Sequence, residues 1–343
     1  MGASSVEREL AEPDSPALHR HFTLLRLDIL DFVGKPFVVL VGRRLRGLSP
    51  EDLVRVKLLG EIGLGSVKAG DEAALNRQSI ILCNTDDLYV KADVHAERLA
   101  EHGVSGVVFV PTAAPDEKNR LIVEKFRRRN IPVVLADRAI EGVDLDLVTT
   151  DNREGAAAMV RFMIARGHMR IAVMLSTLYS TERRRLEGYR DALNGHGLSV
   201  DEELVMTNDD PFNDQRTLSA ARALLALRGR FTAVFAGHDR IAWIIHSAAE
   251  EMGLRIPEDL SLAGYDDLTV LHPRSLHLTT MHQPIYEMGR ESMKLILARL
   301  SNPSAPQARV ELRSTLIERE SVKTIQAGQS EPSPAAGVSP PRS

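Results

Sequence analysis

The sequence predicts a doubly wound α/β fold with parallel sheets. Short runs rich in β-branched residues alternate with longer helical segments from about residue 79 to residue 276, which is typical of parallel strands joined by crossover helices. The chain has 343 residues, 43% of them hydrophobic, so its apolar content is enough for two domain-sized cores. Several predicted helices are followed by a glycine, the residue that most easily adopts the left-handed conformation that ends a helix: Gly103, Gly167, Gly197 and Gly253.

The individual elements follow from the spacing of apolar residues. Strands are expected at residues 37–41, 79–83, 106–110, 131–135, 147–150, 170–174, 204–207, 233–236 and 260–263. Helices with apolar residues at three-to-four spacing are expected at residues 90–102, 117–129, 153–166, 181–195, 213–227 and 240–252. Because most strands are followed by a helix, we expect them to run parallel within each sheet.

The overall composition excludes some classes of protein. Lysine and arginine total 43 and aspartate and glutamate 47, so the net charge of −4 gives no general basic field for nucleic acid. Cys83 is the only cysteine, which excludes an internal disulfide and a zinc finger. Residues 1–20 lack the apolar core of a secretory signal, and no run of about 18 apolar residues follows. We therefore expect a cytoplasmic protein with no membrane segment.

The catalytic and metal-binding motifs that sequence can reveal are not found. The 11 histidines do not cluster, and neither an HExxH pair nor a carboxylate–histidine triplet occurs. There is no GxSxG nucleophile motif, no GxGxxG before a helix and no phosphate-binding GxxxxGK(S/T) loop. The sequence therefore predicts a binding protein with no metal and no cofactor, rather than an enzyme.

Three segments together resemble the LacI/GalR family of bacterial transcriptional regulators. Residues 148–174 (VTTDNREGAAAMVRFMIARGHMRIAVM) lead from a strand through a helix into the next strand, and residues 185–193 (RLEGYRDAL) are similar to the family's R-x-x-G-(F/Y/W) helix. Residues 231–267 (FTAVFAGHDRIAWIIHSAAEEMGLRIPEDLSLAGYDD) resemble the family pattern AVFAxND…GLxVPxDxSVxGxDD. Each motif is weak alone, but their order and spacing are specific. The resemblance extends over roughly residues 75–321.

The resemblance implies a fold of the periplasmic-binding-protein type, with a ligand cleft between the lobes. The N-terminal lobe is expected to comprise residues 36–152 and 281–307, and the C-terminal lobe residues 153–280 and 308–323. The chain is then expected to cross between the lobes more than once. The ends are treated separately: residues 1–35 are expected to be a poorly ordered or divergent segment, and the Pro- and Ser-rich residues 324–343 a disordered tail.

The strongest candidates for ligand contact match binding positions of the family. Asp266 and Arg185 match the family's binding aspartate and binding arginine; a carboxylate accepts hydrogen bonds from hydroxyl groups, and a guanidinium offers a planar set of donors. His238 stands where the family has asparagine, and a neutral histidine can also both donate and accept. The alternatives are a turn-forming role for Asp266 and a surface position for Arg185.

Further polar residues follow predicted strands on the side where ligands bind open sheets. The expected ligand contacts among them are Asp137, Arg138, Asp86 and Thr112, together with Phe212 near the position of a family stacking aromatic. An ion pair within the loop is the alternative for the Asp137–Arg138 pair, and core packing is the alternative for Phe212. Three residues are expected to cap helices or to support the ligand contacts from behind: Asp239, Asp151 and Asn152.

The resemblance implies a homodimeric regulator that binds a small polar molecule of the sugar class and transmits binding to DNA. Residues 1–60 do not match the helix-turn-helix pattern (DVAxxAGVSxxTVSRVLN) with which the family normally opens. The DNA-reading element is therefore not identified in the sequence. The alternative function is a stand-alone sugar-binding sensor module without its own DNA-binding domain.

Overall fold

Two open sheets flanked by helices, together with a small two-stranded sheet, form the part of the chain that the computed structural model describes: residues 37–42, 75, 79–208, 213–268 and 277–325. In chain order the elements are β1 (Phe37–Gly42), β2 (Ser79–Asn84), α1 (Tyr89–Glu101), β3 (Gly106–Phe109), α2 (Asp116–Arg127), β4 (Val133–Ala136), β5 (Asp146–Thr150), α3 (Asn152–Ala165), β6 (Ile171–Leu175), α4 (Ser180–Gly195), β7 (Val205–Thr207), α5 (Asp214–Ala226), β8 (Ala233–Ala236), α6 (Asp239–Glu251), β9 (Ser261–Ala263), β10 (Thr280–His282), α7 (Ile285–Ser301), β11 (Arg309–Leu312) and β12 (Thr315–Ile317).

The predicted elements are present, each within two residues of its expected ends. The four glycines that were expected to end helices have φ values of +65°, +90°, +69° and +73°, which confirms their left-handed conformation. Three predictions lie outside the described residues: the segment 1–35, Phe212, and the part of the tail after residue 325. No helix in the described ranges is long and apolar enough to span a membrane.

The first sheet has the strand order β11-β5-β4-β3-β1-β2. Strands β3, β4, β5 and β11 run parallel, with Leu135 beside Leu147 and Val148 beside Val310. β1 is antiparallel to both β2 and β3, so the expectation of parallel strands is wrong for β1. The physical reason is that an apolar run reads the same in either direction, so it carries no information about strand direction.

The second sheet is entirely parallel, in the order β7-β6-β8-β9. Its strands β6, β8 and β9 are buried along their whole length because helices cover both faces. Helices α3 and α4 pack against one face, where Met159, Tyr189 and Phe235 lie in the core. Helices α5 and α6 pack against the other, around Leu224 and Ile245. This rigid layer holds the strand ends that carry the candidate site.

Within the described ranges the chain crosses between the two sheets at three places, near residues 151, 284 and 314. β5 of the first sheet leads into α3 on the second sheet, and β10, bridged to the second sheet, leads into α7, whose Met293 and Ile296 pack on the first sheet. β11 then joins the first sheet, whereas β12 pairs antiparallel with β10. The expected boundary, which assigned residues 308–323 to the C-terminal lobe, is therefore wrong for β11. The family resemblance implies one final strand near residues 310–317, whereas a break at residues 313–314 sends β11 and β12 to different sheets.

Candidate ligand-binding cleft

The carboxyl ends of the two sheets face each other across a polar cleft. Tyr179, just before α4, donates a hydrogen bond from its hydroxyl to Asp87 Oδ2 in the loop after β2, at 2.6 Å. The backbone nitrogen of Ala139, after β4, donates to the Ser180 hydroxyl at 3.0 Å. These contacts join the two sheets at their carboxyl ends, which is where open α/β sheets bind ligands.

Arg185 is the centre of the second sheet's side of the cleft. Its Nε donates to Asn152 Oδ1 at 2.8 Å, Nη1 to the Gly237 carbonyl at 2.6 Å and Nη2 to Asp266 Oδ1 at 3.1 Å. The guanidinium carbon lies 3.6 Å from the centre of the Tyr265 ring. Burial alone would lower the pKa of Arg185, but the carboxylate of Asp266 and its other neighbours raise it. Arg185 is therefore a buried, permanently charged group, so the surface alternative is wrong.

Asp266 follows β9 and is held from both sides. Its Oδ1 accepts from Arg185 and, at 2.7 Å, from Gln283 Nε2, and its backbone nitrogen donates to the Met281 carbonyl at 2.8 Å. Burial raises the pKa of Asp266, although the charge of Arg185 opposes the shift. Among the described residues no side chain or backbone group forms a hydrogen bond to Oδ2. This carboxylate therefore has an acceptor atom left for a further donor.

Aspartates after strands share an uncommon backbone conformation. Six non-glycine residues of the described ranges have positive φ, and five of them are aspartates: Asp86, Asp87, Asp137, Asp266 and Asp267. Aspartate tolerates this left-handed region better than most residues, yet the conformation still carries a conformational cost. Such strained residues concentrate at functional sites, where the surrounding structure fixes the direction of their side chains.

On the first sheet's side, Arg138 is held by Asp87 rather than by Asp86. Arg138 Nη1 donates to Asp87 Oδ1 at 2.9 Å and to the Pro111 carbonyl at 3.0 Å, and its guanidinium lies 3.9 Å from the centre of the Tyr179 ring. Asp86 instead forms an ion pair with Lys91. The sequence shows two adjacent aspartates after β2 but does not tell which side chain turns towards Arg138, so Asp87 was missed.

Asp137 presents a second acceptor without a partner. Its Oδ2 lies 3.7 Å from Arg138 Nε, whereas its Oδ1 is buried and has no hydrogen-bond partner among the described residues. A buried polar atom without a partner is uncommon and calls for a donor. The Thr112 hydroxyl is already used, because it donates to Asn119 Oδ1 at 3.0 Å within its own lobe.

The helix cap at the start of α6 is His238, not Asp239 as the sequence suggested. His238 Nδ1 accepts from the backbone nitrogen of Ile241 at 3.3 Å. Asp239 lies one residue inside the helix, where its carboxylate accepts from the Thr280 hydroxyl at 2.6 Å and the Leu268 backbone at 2.7 Å. When two adjacent polar residues precede a helix, the sequence alone does not tell which one is the N-cap. The backbone conformation at the start of the helix decides this. Burial, together with the charge of Asp266, raises the pKa of Asp239 to about 8.

Asp151 and Asn152 lie at the first crossing. Asp151 caps α3, since its side chain accepts from the Glu154 backbone at 3.0 Å. Asn152 donates from Nδ2 to the Thr150 carbonyl at 3.1 Å, and this fixes its amide so that Oδ1 points to Arg185. Asn152 therefore positions Arg185 from behind.

Glu182, which sequence analysis missed, is a deeply buried carboxylate of the cleft. It lies on α4 one turn before Arg185, with a side chain that is 3% exposed, and its Oε2 accepts from the Ser176 backbone. A Cβ atom at position 237 would lie 2.6 Å from that oxygen, so Gly237 is required there. Burial raises the pKa of Glu182 to about 7, although Arg185 partly opposes the shift. The available signal was the spacing of three from Arg185, which places both on one helix face.

The raised pKa of Glu182 predicts a pH-dependent stability. In the unfolded chain this carboxyl ionises near its ordinary value of 4.5, but in the folded protein only near about 7. Between these two pKa values the folded state holds a proton that the unfolded state has released. The contribution of Glu182 to stability is therefore lost as the pH rises from about 4.5 through about 7. Relative to Glu182→Gln, wild-type protein is expected to lose up to about 3 kcal/mol of stability between about pH 5 and about pH 8.

Thermal melts of both proteins across this pH range test the prediction. Asp239, which titrates in the same direction, is present in both and cancels in the comparison. Glu187→Gln on the exposed face of α4 is the control and is expected to show a constant difference from wild type. A difference that moves the other way, or the same slope in the control, would contradict the assignment to Glu182.

No group of three or more histidine, cysteine, aspartate or glutamate side chains within the described residues is arranged to hold a metal ion. The cleft is instead a set of carboxylates and two guanidinium groups that are already paired with some of them. Such an arrangement is suited to binding a molecule that donates hydrogen bonds.

Comparison with known proteins agrees with this architecture. A periplasmic binding protein-like domain matches residues 160–322. The ribose operon repressor of Escherichia coli (strain K12) is 32% identical over 244 residues, which cover 71% of this chain and 72% of the repressor. The transcriptional repressor PurR of Vibrio atlanticus is 30% identical over 259 residues, covering 75% and 76% of the two chains.

Solved structures give the same result. A LacI family regulator from Enterococcus faecium, crystallised with bound ribose, superposes with a TM-score of 0.65 at 25% identity, over 78% of this chain and 95% of that one. The CelR–cellobiose complex superposes with a TM-score of 0.66 at 25% identity, over 91% and 93% of the two chains. The relatives are repressors, and the shared region includes the cleft built around Arg185 and Asp266. The chain therefore belongs to the LacI/GalR family of ligand-responsive transcriptional regulators.

Proposed function

We propose that the cleft binds a sugar, and that Asp266 and Arg185 are its main anchors on the second sheet. The observation that carries this proposal is the fixed Arg185–Asp266 pair, which leaves Asp266 Oδ2 directed to no described partner. On the facing side, Asp137 Oδ1 is a buried acceptor without a donor. Two such acceptors fit a molecule with several hydroxyl groups. The ribose and cellobiose bound by the two related structures support the sugar class.

Binding controls the protein by closing the cleft. A ligand that bonds to Asp137 from one side and Asp266 from the other has full contact only when the sheets approach, so it shifts the population towards the closed form. We infer that the regulator acts as a cytoplasmic homodimer without catalytic activity, in which closure changes DNA affinity. Two of the other candidates, Asp86 and Thr112, are not given a ligand role because their groups are bonded within the first lobe.

A thermal-shift series with D-ribose, cellobiose and other neutral sugars tests this proposal. A ligand at one hundred times its dissociation constant stabilises the folded state by about 2.7 kcal/mol. This stabilisation is expected for wild type and for Asp214→Asn, a matched change at an exposed site, and to be lost in Asp266→Asn. Unchanged stabilisation in Asp266→Asn would remove this residue from the site.

A DNA-binding experiment distinguishes the regulator from the alternative of a sensor module without a DNA-binding domain. That alternative is favoured by the lack of a helix-turn-helix pattern in residues 1–60. Purified protein is titrated against DNA upstream of its gene and against a scrambled duplex at about 150 mM salt, where non-specific dissociation constants are roughly 10⁻⁴–10⁻⁶ M. A regulator that acts unaided gives a much tighter, sugar-sensitive complex with the upstream duplex. Equal, weak binding to both duplexes supports the sensor-only alternative.

A further inference from the structure

Glu182 and His238 face each other without a hydrogen bond between them. Glu182 Oε1 lies 3.7 Å from His238 Nε2, beyond the usual 2.7–3.2 Å range of an N–H···O bond. Both side chains are otherwise fixed: Glu182 Oε2 accepts from the Ser176 backbone, and His238 Nδ1 caps α6. Among the described residues neither Oε1 nor Nε2 has another hydrogen-bond partner. The two atoms are therefore oriented but unsatisfied.

The protonation state of His238 follows from its neighbours. Nδ1 accepts a backbone hydrogen bond, so a neutral ring carries its proton on Nε2 and donates from there. Burial lowers the pKa of His238 to about 3, and the nearby charges of Arg185, Arg240 and Arg138 act in the same direction. The ring is thus neutral, with a donor at Nε2 beside the acceptor Oε1 of Glu182.

We propose that Glu182 and His238 form a subsite for one hydroxyl group of the ligand, beside the Arg185–Asp266 pair. An oxygen atom can lie within hydrogen-bond distance of both Oε1 and Nε2 because these atoms are only 3.7 Å apart. When Glu182 is ionised, above its pKa of about 7, a hydroxyl accepts from the histidine and donates to the carboxylate, which a group that only donates or only accepts cannot do. Glu182 is then a specificity-determining residue that requires a hydroxyl at this position.

The inference rests on the proposed sugar-binding function, but its first test needs no ligand. In the unliganded protein a water molecule takes the place of the hydroxyl, as polar cavities with several partners hold ordered water. A high-resolution crystal structure of the full chain without sugar is expected to show one water bonded to both Glu182 and His238. A direct Glu182–His238 hydrogen bond with no water between them would overturn the subsite.

The second test measures coupling between Glu182 and single hydroxyl groups. Titration calorimetry compares D-ribose with its monodeoxy analogues, in wild type, Glu182→Ala and the surface control Glu187→Ala. Wild type and control are expected to bind one deoxy analogue about ten- to hundredfold more weakly than ribose, and Glu182→Ala to bind both equally. A purely structural role for Glu182 would weaken all the sugars by the same factor and keep the preference, which would refute the proposal.

The outcomes separate this inference from the proposed function. If D-ribose and the other sugars fail to stabilise wild-type protein, the sugar-binding function fails, and the water position still decides whether the donor–acceptor pair exists. If ribose binds and the preference survives in Glu182→Ala, the function stands and the subsite is rejected. His238→Asn, which keeps a donor and an acceptor, is expected to retain part of the preference.

Discussion

Arg185→Ala is expected to lower the free energy of unfolding by about 3 kcal/mol, because it leaves the partly buried carboxylate of Asp266 without its charge partner. Arg185 bonds to Asn152, Gly237 and Asp266 and covers the Tyr265 ring, so its loss removes three hydrogen bonds and a stacking contact together. Urea denaturation followed by circular dichroism measures the change. The neighbouring Arg184, whose side chain is 56% exposed and pairs with Glu187, supplies the control.

Arg184→Ala is expected to change the stability by less than about 1 kcal/mol, since exposed ion pairs contribute little. Arg185→Ala/Asp266→Ala, which removes both charges, is expected to be less destabilised than the sum of the two single variants. Equal stability of the two arginine variants, or simple additivity of Arg185→Ala and Asp266→Ala, would show that Arg185 is not paired as described.

Gly188→Ala is expected to destabilise the second lobe by about 3 kcal/mol or more, because α3 and α4 touch at this residue. A Cβ atom at position 188 would collide with the carbonyl oxygen of Arg153 and approach the backbone nitrogen of Ala157 to 3.0 Å. Backbone atoms cannot turn aside as a side chain does, so the helices must separate and open the core beneath them. Differential scanning calorimetry gives the loss directly.

Gly195 provides the matched control on the same helix. A Cβ atom there meets no described atom within 4 Å, so Gly195→Ala is expected to raise stability slightly, by up to about 1 kcal/mol, through helix propensity alone. Opposite signs for the two glycine variants would confirm the close helix contact. Two similar, small effects would contradict it.

The sequence predicted the elements well because their signals are local. Alternation of β-branched runs and amphipathic helices located nine strands and six helices within two residues of their described ends, but not α7, β10, β11 and β12. The direction of β1 and the separation of β11 from β12 were not predictable in this way. Both depend on which neighbour a strand meets, and the apolar pattern of a short strand is compatible with several neighbours.

The site was predicted in part, and the errors have one cause. Motif positions placed Arg185 and Asp266 among the candidates, and the structure joins these two residues by an ion pair. Glu182 and Asp87 were missed because a carboxylate becomes important only when burial and a partner change its chemistry, and neither is visible in the sequence. The burial of Glu182 and Asp87 depends on how the start of α4 packs against the ends of the strands.

The three chain crossings near residues 151, 284 and 314 limit how this protein can move. A single connection would let two bodies swing in any direction, whereas three nearly adjacent ones oppose sliding and twisting and leave bending as the soft movement. We therefore expect the binding of a molecule in the cleft to change mainly the angle between the lobes. A surface that responds to this change must lie far from the crossings, because the same rotation displaces distant atoms the most.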